Sequence, residues 1–282
     1  MKRILLYILT SLTLLIIIAI VVGAFEDRTD YSPINHGEAI IFAHRGYVNS
    51  TVENSTAAFS KSDSLGFNAI ETDIRSTKDG KLIIFHDASC KRLLGIDANI
   101  DDLNWNEIKE KHLLYKGKKT ENKVLSLDMF LNQTSPKKIL YLDIKNTSKT
   151  IADSLLSILD RHPEHKNIII ADHNLLFLSY LKINKENIRV ALEGFNKGKE
   201  WTFYIIPKKI KPDYYASSMS KVDENHMGFL NEHNLIDKKI TYGVDHTNIK
   251  KVFDLGITNI ILDYHHSMGT LDSLKSKIMK IN

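Results

Sequence analysis

Four apolar segments of this chain end in residues that can transfer protons, hold a metal ion or bind a phosphate. The first ends in His44-Arg45-Gly46, the second carries Glu71-Thr72-Asp73, the third ends in His86-Asp87, and the fourth carries Asp143-Ile144-Lys145. Each pattern by itself is typical of a structural turn or a solvated strand end. Four such ends in one chain indicate a functional site instead, because folding alone does not require them to coincide.

The carboxylates among these residues predict a metal site. Side chains two residues apart on a β-strand point to the same face, so Glu71 projects with Asp73, and Asp143 projects with Lys145. Glu71, Asp73 and Asp143 together form an all-oxygen ligand set. Such a set suits one hard divalent cation, Mg²⁺ or Ca²⁺.

The remaining groups suit a reaction at phosphorus. Arg45 and Lys145 supply positive charge, and a guanidinium group matches two oxygens of a phosphate. Histidine is the side chain best suited to exchange protons near neutral pH, so one of His44 and His86 can act as a base and the other as an acid. Asp87 could orient a histidine, but we expect it to point to the opposite face from His86, because neighbouring residues of a strand alternate. Together these residues predict cleavage of a phosphodiester.

An alternation of short apolar runs with longer amphipathic segments must position these groups. Repeated strand-helix units from residue 39 onward predict a parallel sheet, and at this length a (β/α)8 TIM barrel is favoured over a doubly wound sheet. The site residues would then meet at the C-terminal mouth of the barrel. The predicted strands are 39–44, 69–74, 82–86, 139–145, 167–172, 188–192, 214–217, 239–244 and 258–263.

Two features of this pattern predict an irregular barrel. Nine strands are one too many, so one is peripheral, and 188–192 and 214–217 are the weakest candidates. Only the segment RSTKDG separates the second strand from the third. This segment is too short for a helical crossover between parallel strands, so we expect the barrel to depart from regularity there.

The N-terminus predicts a membrane segment. The 22 residues from Ile4 to Phe25 carry no charge and follow Lys2-Arg3, which favours a helix that spans the bilayer with the rest of the chain outside the cytoplasm. The alternative is a signal peptide cleaved after Val22-Gly23-Ala24, which would release a secreted protein. The predicted organisation is therefore an anchor or signal over 1–25, a linker over 26–38 and one catalytic domain over 39–282.

Composition excludes several other classes of protein. Lys and Arg number 38 against 34 Asp and Glu, a net charge of +4, and this bias is too weak to indicate a nucleic-acid partner. Cys90 is the single cysteine, so the chain can form neither an internal disulfide nor a cysteine-rich metal site. The hydrophobic content of 43% is normal for a globular core. Composition does not indicate an oligomeric state.

The ordered motifs resemble the glycerophosphodiester phosphodiesterase family. The resemblance rests on AHRG, ENSTAAF, GFNAIETDIRSTKDGKLIIFHD, KVLSLDMFL, LYLDIK and FDLGITNIILD, which run from about residue 40 to residue 263. It implies a TIM barrel, dependence on a divalent metal, and hydrolysis of glycerophosphodiesters to glycerol 3-phosphate and an alcohol. Carried over by position, it implies the following roles: His44 and His86 catalytic, Glu71, Asp73 and Asp143 metal ligands, Arg45 and Lys145 phosphate contacts, and Glu53 near the metal.

Some residues depart from the family pattern. Asp143 stands where the family commonly has Glu, so the ion must lie closer to that strand or bind it through water. Thr241-Tyr242-Gly243-Val244 replaces a late Trp-containing strand, and Tyr242 is the candidate to take the place of that aromatic residue against the substrate. The identity of the alcohol or glycerol part is therefore less defined than the reaction.

Three interpretations of the function follow. In the first, His44 acts as base and His86 as acid on a glycerophosphodiester, with the two roles exchanged if a cyclic phosphate forms and is then hydrolysed. The second is a related phosphodiesterase that acts on lysophospholipids, as a lysophospholipase D does, or on glycerol-phosphate polymers of the cell envelope. The third is a catalytically silent binding module on the same barrel.

Overall fold

We describe a computed structural model of the chain, which covers residues 2–25, 34, 39–185, 187–265, 268 and 271. Within the first helix, side chains are described only for residues 2–18. The predicted linker, 26–38, lies outside the described residues except for Ile34.

The described chain alternates strands and helices as the sequence predicts. The strands are β1 (Ile41–His44), β2 (Ala69–Ser76), β3 (Leu82–Ile84), β4 (His112–Tyr115), β5 (Lys118–Lys123), β6 (Leu125–Ser126), β7 (Ile139–Ile144), β8 (Ile168–Asp172), β9 (Arg189–Glu193), β10 (Tyr214–Ser218), β11 (Lys239–Val244) and β12 (Asn259–Leu262). The helices are α1 (Lys2–Phe25), α2 (Thr56–Ser64), α3 (Lys91–Leu94), α4 (Trp105–Ile108), α5 (Leu127–Gln133), α6 (Lys149–Arg161), α7 (Leu175–Asn184), α8 (Thr202–Ile205), α9 (Glu224–Glu232) and α10 (Ile249–Asp254). Four short 3-10 helices complete the set: Ile100–Asp102, Lys208–Ile210, Met219–Lys221 and Ile236–Lys238.

Eight parallel strands close into the predicted barrel. Their order is β1, β2, β7, β8, β9, β10, β11 and β12, and β12 pairs with β1 to complete the ring. Each neighbouring pair in this ring is parallel. The prediction of a (β/α)8 barrel is thus confirmed.

The peripheral strand is not one of the two that we rated weakest. Segments 188–192 and 214–217 become β9 and β10, which are both barrel strands. The strand outside the ring is β3, which runs antiparallel to the end of β2 through Ile74↔Ile84 and continues to β6. The short RSTKDG connection explains this arrangement, because it allows a hairpin but no crossover. The predicted irregularity therefore lies where it was expected.

Two apolar layers hold the barrel together. An inner layer fills the barrel and includes Phe42, Tyr141 and Tyr214, while a larger outer layer lies between strands and helices. At the N-terminal end of the strands, the Ile34 amide donates a hydrogen bond of 2.9 Å to the Tyr214 hydroxyl, and the Ile34 side chain packs on the inner layer. The barrel is therefore filled below its mouth and covered at its base.

A smaller apolar cluster supports the chain between β3 and β6. Residues 85–124, which we call the excursion, contain α3, α4 and the β4–β5 hairpin around Phe85, Leu93 and Leu113. The hydrogen bond from the Lys78 amide to the Leu103 carbonyl, 2.9 Å long, ties the excursion to the β2–β3 turn. The excursion begins with the segment that carries His86 and so fixes its approach to the mouth.

The predicted membrane segment coincides with α1, which is helical as expected. In the part of the chain that the structure describes, we find no helix with both the length and the apolar character needed to cross a bilayer. The prediction of a transmembrane helix is thus not supported by the structure.

Candidate active site

Three carboxylates converge at the mouth of the barrel. One oxygen from each of Glu71, Asp73 and Asp143 can be chosen so that all three lie within 4.8 Å of one another. Strand register brings them together, because Asp73 on β2 is paired directly with Asp143 on β7, and Glu71 is two residues before Asp73 on the same face. The sequence prediction of this cluster therefore agrees with the geometry.

The charge distribution in this cluster suits a divalent cation. Glu71 and Asp73 are buried, and burial together with the neighbouring Asp73 carboxylate raises the pKa of Glu71 to about 8. Burial also raises the pKa of Asp143, although Lys145 opposes it. A hard cation would relieve this repulsion and accept these oxygens as ligands, so the residues present fit Mg²⁺ or Ca²⁺.

Two basic side chains balance the carboxylates. Lys145 Nζ lies 2.9 Å from Asp73 Oδ1 and also contacts Asp143 Oδ2, while Arg45 Nε lies 3.1 Å from Asp73 Oδ2. Burial raises the pKa of Asp73, but Lys145 and Arg45 outweigh it and keep that pKa below its usual value. Both predicted phosphate-contacting residues thus border the predicted metal ligands.

His44 is held between two carboxylates. Its Nδ1 lies 2.6 Å from Asp263 Oδ1, and its Nε2 lies 3.9 Å from Glu71 Oε2. Burial lowers the pKa of His44, but Glu71 and Asp263 outweigh burial and leave the pKa above its ordinary value. Asp263 directly follows the last residue of β12, and β12 is the strand beside β1. Asp263 therefore fixes the ring of His44 at the mouth.

His86 is also paired with a carboxylate, contrary to our prediction for Asp87. His86 Nδ1 lies 2.8 Å from Asp87 Oδ1. The prediction assumed strand alternation, but β3 ends at Ile84, so the two side chains are free of that constraint. Arg92 binds Asp87 through Nε at 2.6 Å, and its hydrogen bonds are the main cause that lowers the pKa of Asp87 to about 2.

Glu53 links the two halves of the site. Its carboxylate receives a hydrogen bond of 2.9 Å from Arg45 and two from Arg92, at 2.6 and 2.8 Å. These hydrogen bonds and charges outweigh burial and lower the pKa of Glu53. Glu53 therefore orients two arginines, and it is not one of the three carboxylates of the candidate metal cluster.

The loop after β1 adopts a backbone that few residues favour. Arg45 has a φ of 55° and Gly46 a φ of 79°, both in the left-handed region. A side chain at Gly46 would have its Cβ only 2.7 Å from the Ala58 carbonyl carbon, so glycine is required where α2 packs against the turn. Ser55 caps the start of α2, because its hydroxyl oxygen accepts a hydrogen bond of 3.2 Å from the Ala58 amide.

A cavity of about 350 Å³ opens beside the carboxylates. It is lined by His44, Arg45, Glu71, Asp143, Lys145, Glu193, Tyr242, Gly243 and Ile261. Tyr242, predicted to contact substrate, thus shares a cavity with the other site residues, whereas His86 is outside its lining. A second cavity of about 540 Å³ lies between α6 and the starts of β8 and β9, and its lining includes none of the predicted site residues.

Sequence reasoning missed Glu193, which lines the cavity of about 350 Å³, and its hydrogen-bond partner Tyr141. Glu193 ends β9, and the hydroxyl of Tyr141 on β7 donates a hydrogen bond of 2.8 Å to its Oε1. Burial, followed by the charge of Asp143, raises the pKa of Glu193 to about 7. Glu193 carries the same signal that identified the other residues, a charged group at the end of an apolar strand, but the predicted strand ended one residue before it.

Comparison with known proteins identifies relatives of this chain. The model of the glycerophosphoryl diester phosphodiesterase family matches residues 44–266. A glycerophosphodiester phosphodiesterase of Caldanaerobacter subterraneus is 36% identical over 73 residues, 26% of this chain and 30% of that protein. A lysophospholipase D of Rattus norvegicus is 36% identical over 66 residues, 23% of this chain and 21% of that protein. The chain thus spans less than a third of the length of these curated relatives.

Solved structures show the same fold. A phosphodiesterase of Oleispira antarctica, in complex with the product sn-glycerol-3-phosphate, matches with a TM-score of 0.72 and 17% identity over 86% of this chain and 96% of that chain. A glycerophosphodiester phosphodiesterase of Thermotoga maritima matches with a TM-score of 0.65 and 23% identity over 88% of this chain and 100% of that chain. At these identities the likeness establishes the fold.

Proposed function

Because this chain belongs to the glycerophosphoryl diester phosphodiesterase family, we propose that it hydrolyses glycerophosphodiesters to glycerol 3-phosphate and an alcohol. The observation that carries the proposal is the cluster of Glu71, Asp73 and Asp143 within 4.8 Å, beside His44 in one cavity. Hydrolysis of a phosphodiester requires groups that bind the phosphate and groups that transfer protons. A metal site beside an imidazole and two basic side chains can supply both. The short matches to curated relatives leave the activity itself as the point to be tested.

Glu71, Asp73 and Asp143 would hold one divalent cation, Mg²⁺ or Ca²⁺. When bound, this cation supplies a Lewis acid that polarises a phosphoryl oxygen and lowers the pKa of a coordinated hydroxyl. Lys145 and Arg45 lie 2.9 and 3.1 Å from Asp73, so both would border a phosphate bound beside the ligand carboxylates. They would then stabilise charge on its oxygens in the transition state.

The two histidines would move the protons. We assign His44 as the base that deprotonates the nucleophile and His86 as the acid that protonates the leaving alkoxide, with the roles exchanged in hydrolysis of a cyclic phosphate. Asp263 and Asp87 support proton transfer by both histidines, since each carboxylate accepts a hydrogen bond from Nδ1 and leaves Nε2 for the reaction. Tyr242, which lines the same cavity, would contact the substrate there.

The full chain should release glycerol 3-phosphate from glycerophosphodiesters and lose this activity in a chelator. Restoration with Mg²⁺ and Ca²⁺ in turn would show which ion serves. His44→Ala and His86→Ala should each lower kcat by at least about a hundredfold, because each removes a proton-transfer group. His112→Ala is the matched control, since His112 lies in the β4–β5 hairpin and bonds the Thr120 carbonyl. Full activity of either site variant would refute the mechanism.

A panel of substrates separates the proposed activity from its alternatives. The similarity to a lysophospholipase D of Rattus norvegicus favours inclusion of lysophospholipids. Glycerol-phosphate polymers test the envelope alternative. A silent binding module would bind none of the metals in calorimetry or would bind diesters without turnover. The largest kcat/KM in the panel identifies the preferred class of substrate.

We also propose that the catalytic domain lies outside the cytoplasm. The uncharged residues from Ile4 to Phe25 and the preceding Lys2-Arg3 support this location. A C-terminal alkaline phosphatase fusion should then be active in cells, and a C-terminal fluorescent fusion should stay dark when exported in unfolded form. N-terminal sequencing of the mature protein would distinguish a retained anchor from cleavage after Ala24. An inactive phosphatase fusion would contradict the proposed location.

A further inference from the structure

The lining of the cavity of about 350 Å³ includes a hydrogen-bond acceptor, Glu193, that is held in place. Tyr141 is fully buried in the inner layer, and its hydroxyl reaches past β8 to bind Glu193 Oε1 at 2.8 Å. Two small buried residues of the same layer, Ala171 and Ala191, leave room for the phenol ring. The ring of Tyr141 is held by packing, so Glu193 is held in turn.

One oxygen of Glu193 is left for a ligand. In residues 39–185 and 187–265, the hydrogen bond from Tyr141 is the one polar contact that we find to this carboxyl group. Glu193 also lines the cavity that contains His44 and the ligand carboxylates Glu71 and Asp143. It is not a member of the metal cluster. Glu193 is partly buried. A carboxyl group that lines a cavity and has an oxygen without a second partner is suited to accept a hydrogen bond from a ligand there.

The cavity suits a hydroxyl better than a quaternary ammonium ion. Binding of quaternary ammonium ions uses several aromatic faces, whereas Tyr242 is the one tyrosine, tryptophan or phenylalanine in the described lining. At about 350 Å³, the cavity is at the small end of ligand sites. It therefore fits a short polyol phosphate, and a bulky alcohol would extend to solvent.

We propose that Glu193, positioned by Tyr141, accepts a hydrogen bond from the terminal hydroxyl of the substrate's glycerol and thereby selects glycerol diesters. This inference rests on the proposed function and adds the direction of binding to it. The glycerol lies in the cavity beside Glu193, and the alcohol that is released points to solvent. The protein would then distinguish substrates by their glycerol part and would accept a range of alcohols as the released group.

Two substrates that differ in one hydroxyl test this role. We would measure kcat/KM for sn-glycero-3-phosphocholine and for the analogue whose glycerol is replaced by propane-1,2-diol, which lacks the terminal hydroxyl. We would measure both values above about pH 8, where the Glu193 carboxyl group is ionised despite its raised pKa. A hydrogen bond to a charged acceptor contributes about 1.5–3 kcal/mol, so the wild-type ratio of the two values should be about 10 to 150. Glu193→Ala should reduce this ratio to about 1–3, because the loss is confined to the substrate that has the hydroxyl.

Two further variants separate a specificity role from a structural one. Glu193→Gln keeps an oxygen acceptor, so it should retain part of the ratio, and Tyr141→Phe should give an intermediate ratio because Glu193 loses its fixed orientation. Metal affinity of Glu193→Ala, measured by calorimetry, should stay within about twofold of wild type. Equal losses on both substrates together with weaker metal binding would overturn the inference.

Failure of the inference differs from failure of the proposed function. A wild-type protein that hydrolyses both diesters with a ratio near 1 refutes the role of Glu193 and leaves the proposed activity intact. A wild-type protein that hydrolyses no glycerophosphodiester refutes the proposed function, and with it this inference.

Discussion

Replacement of Asp263 tests whether its contact with His44 serves catalysis. In Asp263→Asn, the Nδ1 of His44 keeps a neighbour at the same place but loses the negative charge 2.6 Å away. Hydrogen bonds to charged groups contribute about 1.5–3 kcal/mol. The Asp263 side chain is 46% exposed, so solvent reduces this to about 1 kcal/mol. We therefore expect kcat/KM to fall about fivefold.

The same substitution should change the titration of His44 in a known direction. Burial lowers the pKa of His44, and Glu71 and Asp263 raise it above the ordinary value. Loss of the Asp263 charge removes one of the two raising causes, so the pKa should fall. The measurement is an NMR titration of the metal-free protein, with the His44 signal assigned by its absence in His44→Gln.

A control and a refuting result complete this test. Asp254→Asn on α10 removes an exposed carboxylate that pairs with Lys250 instead of a site residue, and it should leave both the rate and the His44 titration unchanged. An unchanged rate and pKa in Asp263→Asn would show that the contact does not orient the histidine. The proposal that Asp263 supports proton transfer by His44 would then be refuted.

Three further predictions concern stability. Burial and Asp73 raise the pKa of Glu71 to about 8, so the folded metal-free protein binds the extra proton and loses stability as pH rises from about 4.5 to 8. Glu71→Gln should therefore melt at a higher temperature than metal-free wild type at pH 8, yet lose stabilisation by Mg²⁺ or Ca²⁺. Gly46→Ala should cost about 3 kcal/mol in urea denaturation, since it combines a positive φ with a clash at Ala58, whereas Gly66→Ala, with nothing within 4 Å of the new Cβ, should cost about 1 kcal/mol. Burial lowers the pKa of the fully buried Lys239 to about 7, so the unfolded chain binds more protons between pH 7 and 10.5 and the free energy of unfolding should rise by about 5 kcal/mol across that window. Lys239→Met should lack this rise, and equal pH profiles for the two proteins would contradict the assignment.

The predicted site residues depended on local patterns, and those patterns located most of the cluster. Glu71 and Asp73 share a strand face, and strand register then places Asp143 beside them. Asp263 lies 219 residues from His44, so no local spacing could pair the two, although the ILD motif at its strand end was visible. Strand alternation failed for Asp87 because β3 is only three residues long. Local rules thus work within an element and fail where the chain leaves it.

The barrel strands were harder to rank than the site residues. The segment of β10 reads Tyr-Tyr-Ala-Ser-Ser, which has no long aliphatic side chain, and it is one of the two weakest strand candidates in the sequence. In the fold, Tyr214 fills the barrel while Tyr215 packs outside it. Aromatic rings on both faces of β10 thus provide the apolar contacts that aliphatic side chains provide in the other strands. Whether such rings are buried depends on the elements packed against them, which the sequence of the segment alone does not show.

The covered base of the barrel has a consequence for how substrates and products move. The inner layer fills the barrel below the site, and Ile34 packs on that layer at the N-terminal end, so the described residues leave the cavity open at the mouth and without a passage through the barrel. A long glycerol-phosphate polymer cannot thread through such a cavity and would have to present a chain end. The product of the proposed reaction would also have to leave by the opening through which the next substrate enters. We therefore expect release of single units from polymer ends and competitive inhibition by the product.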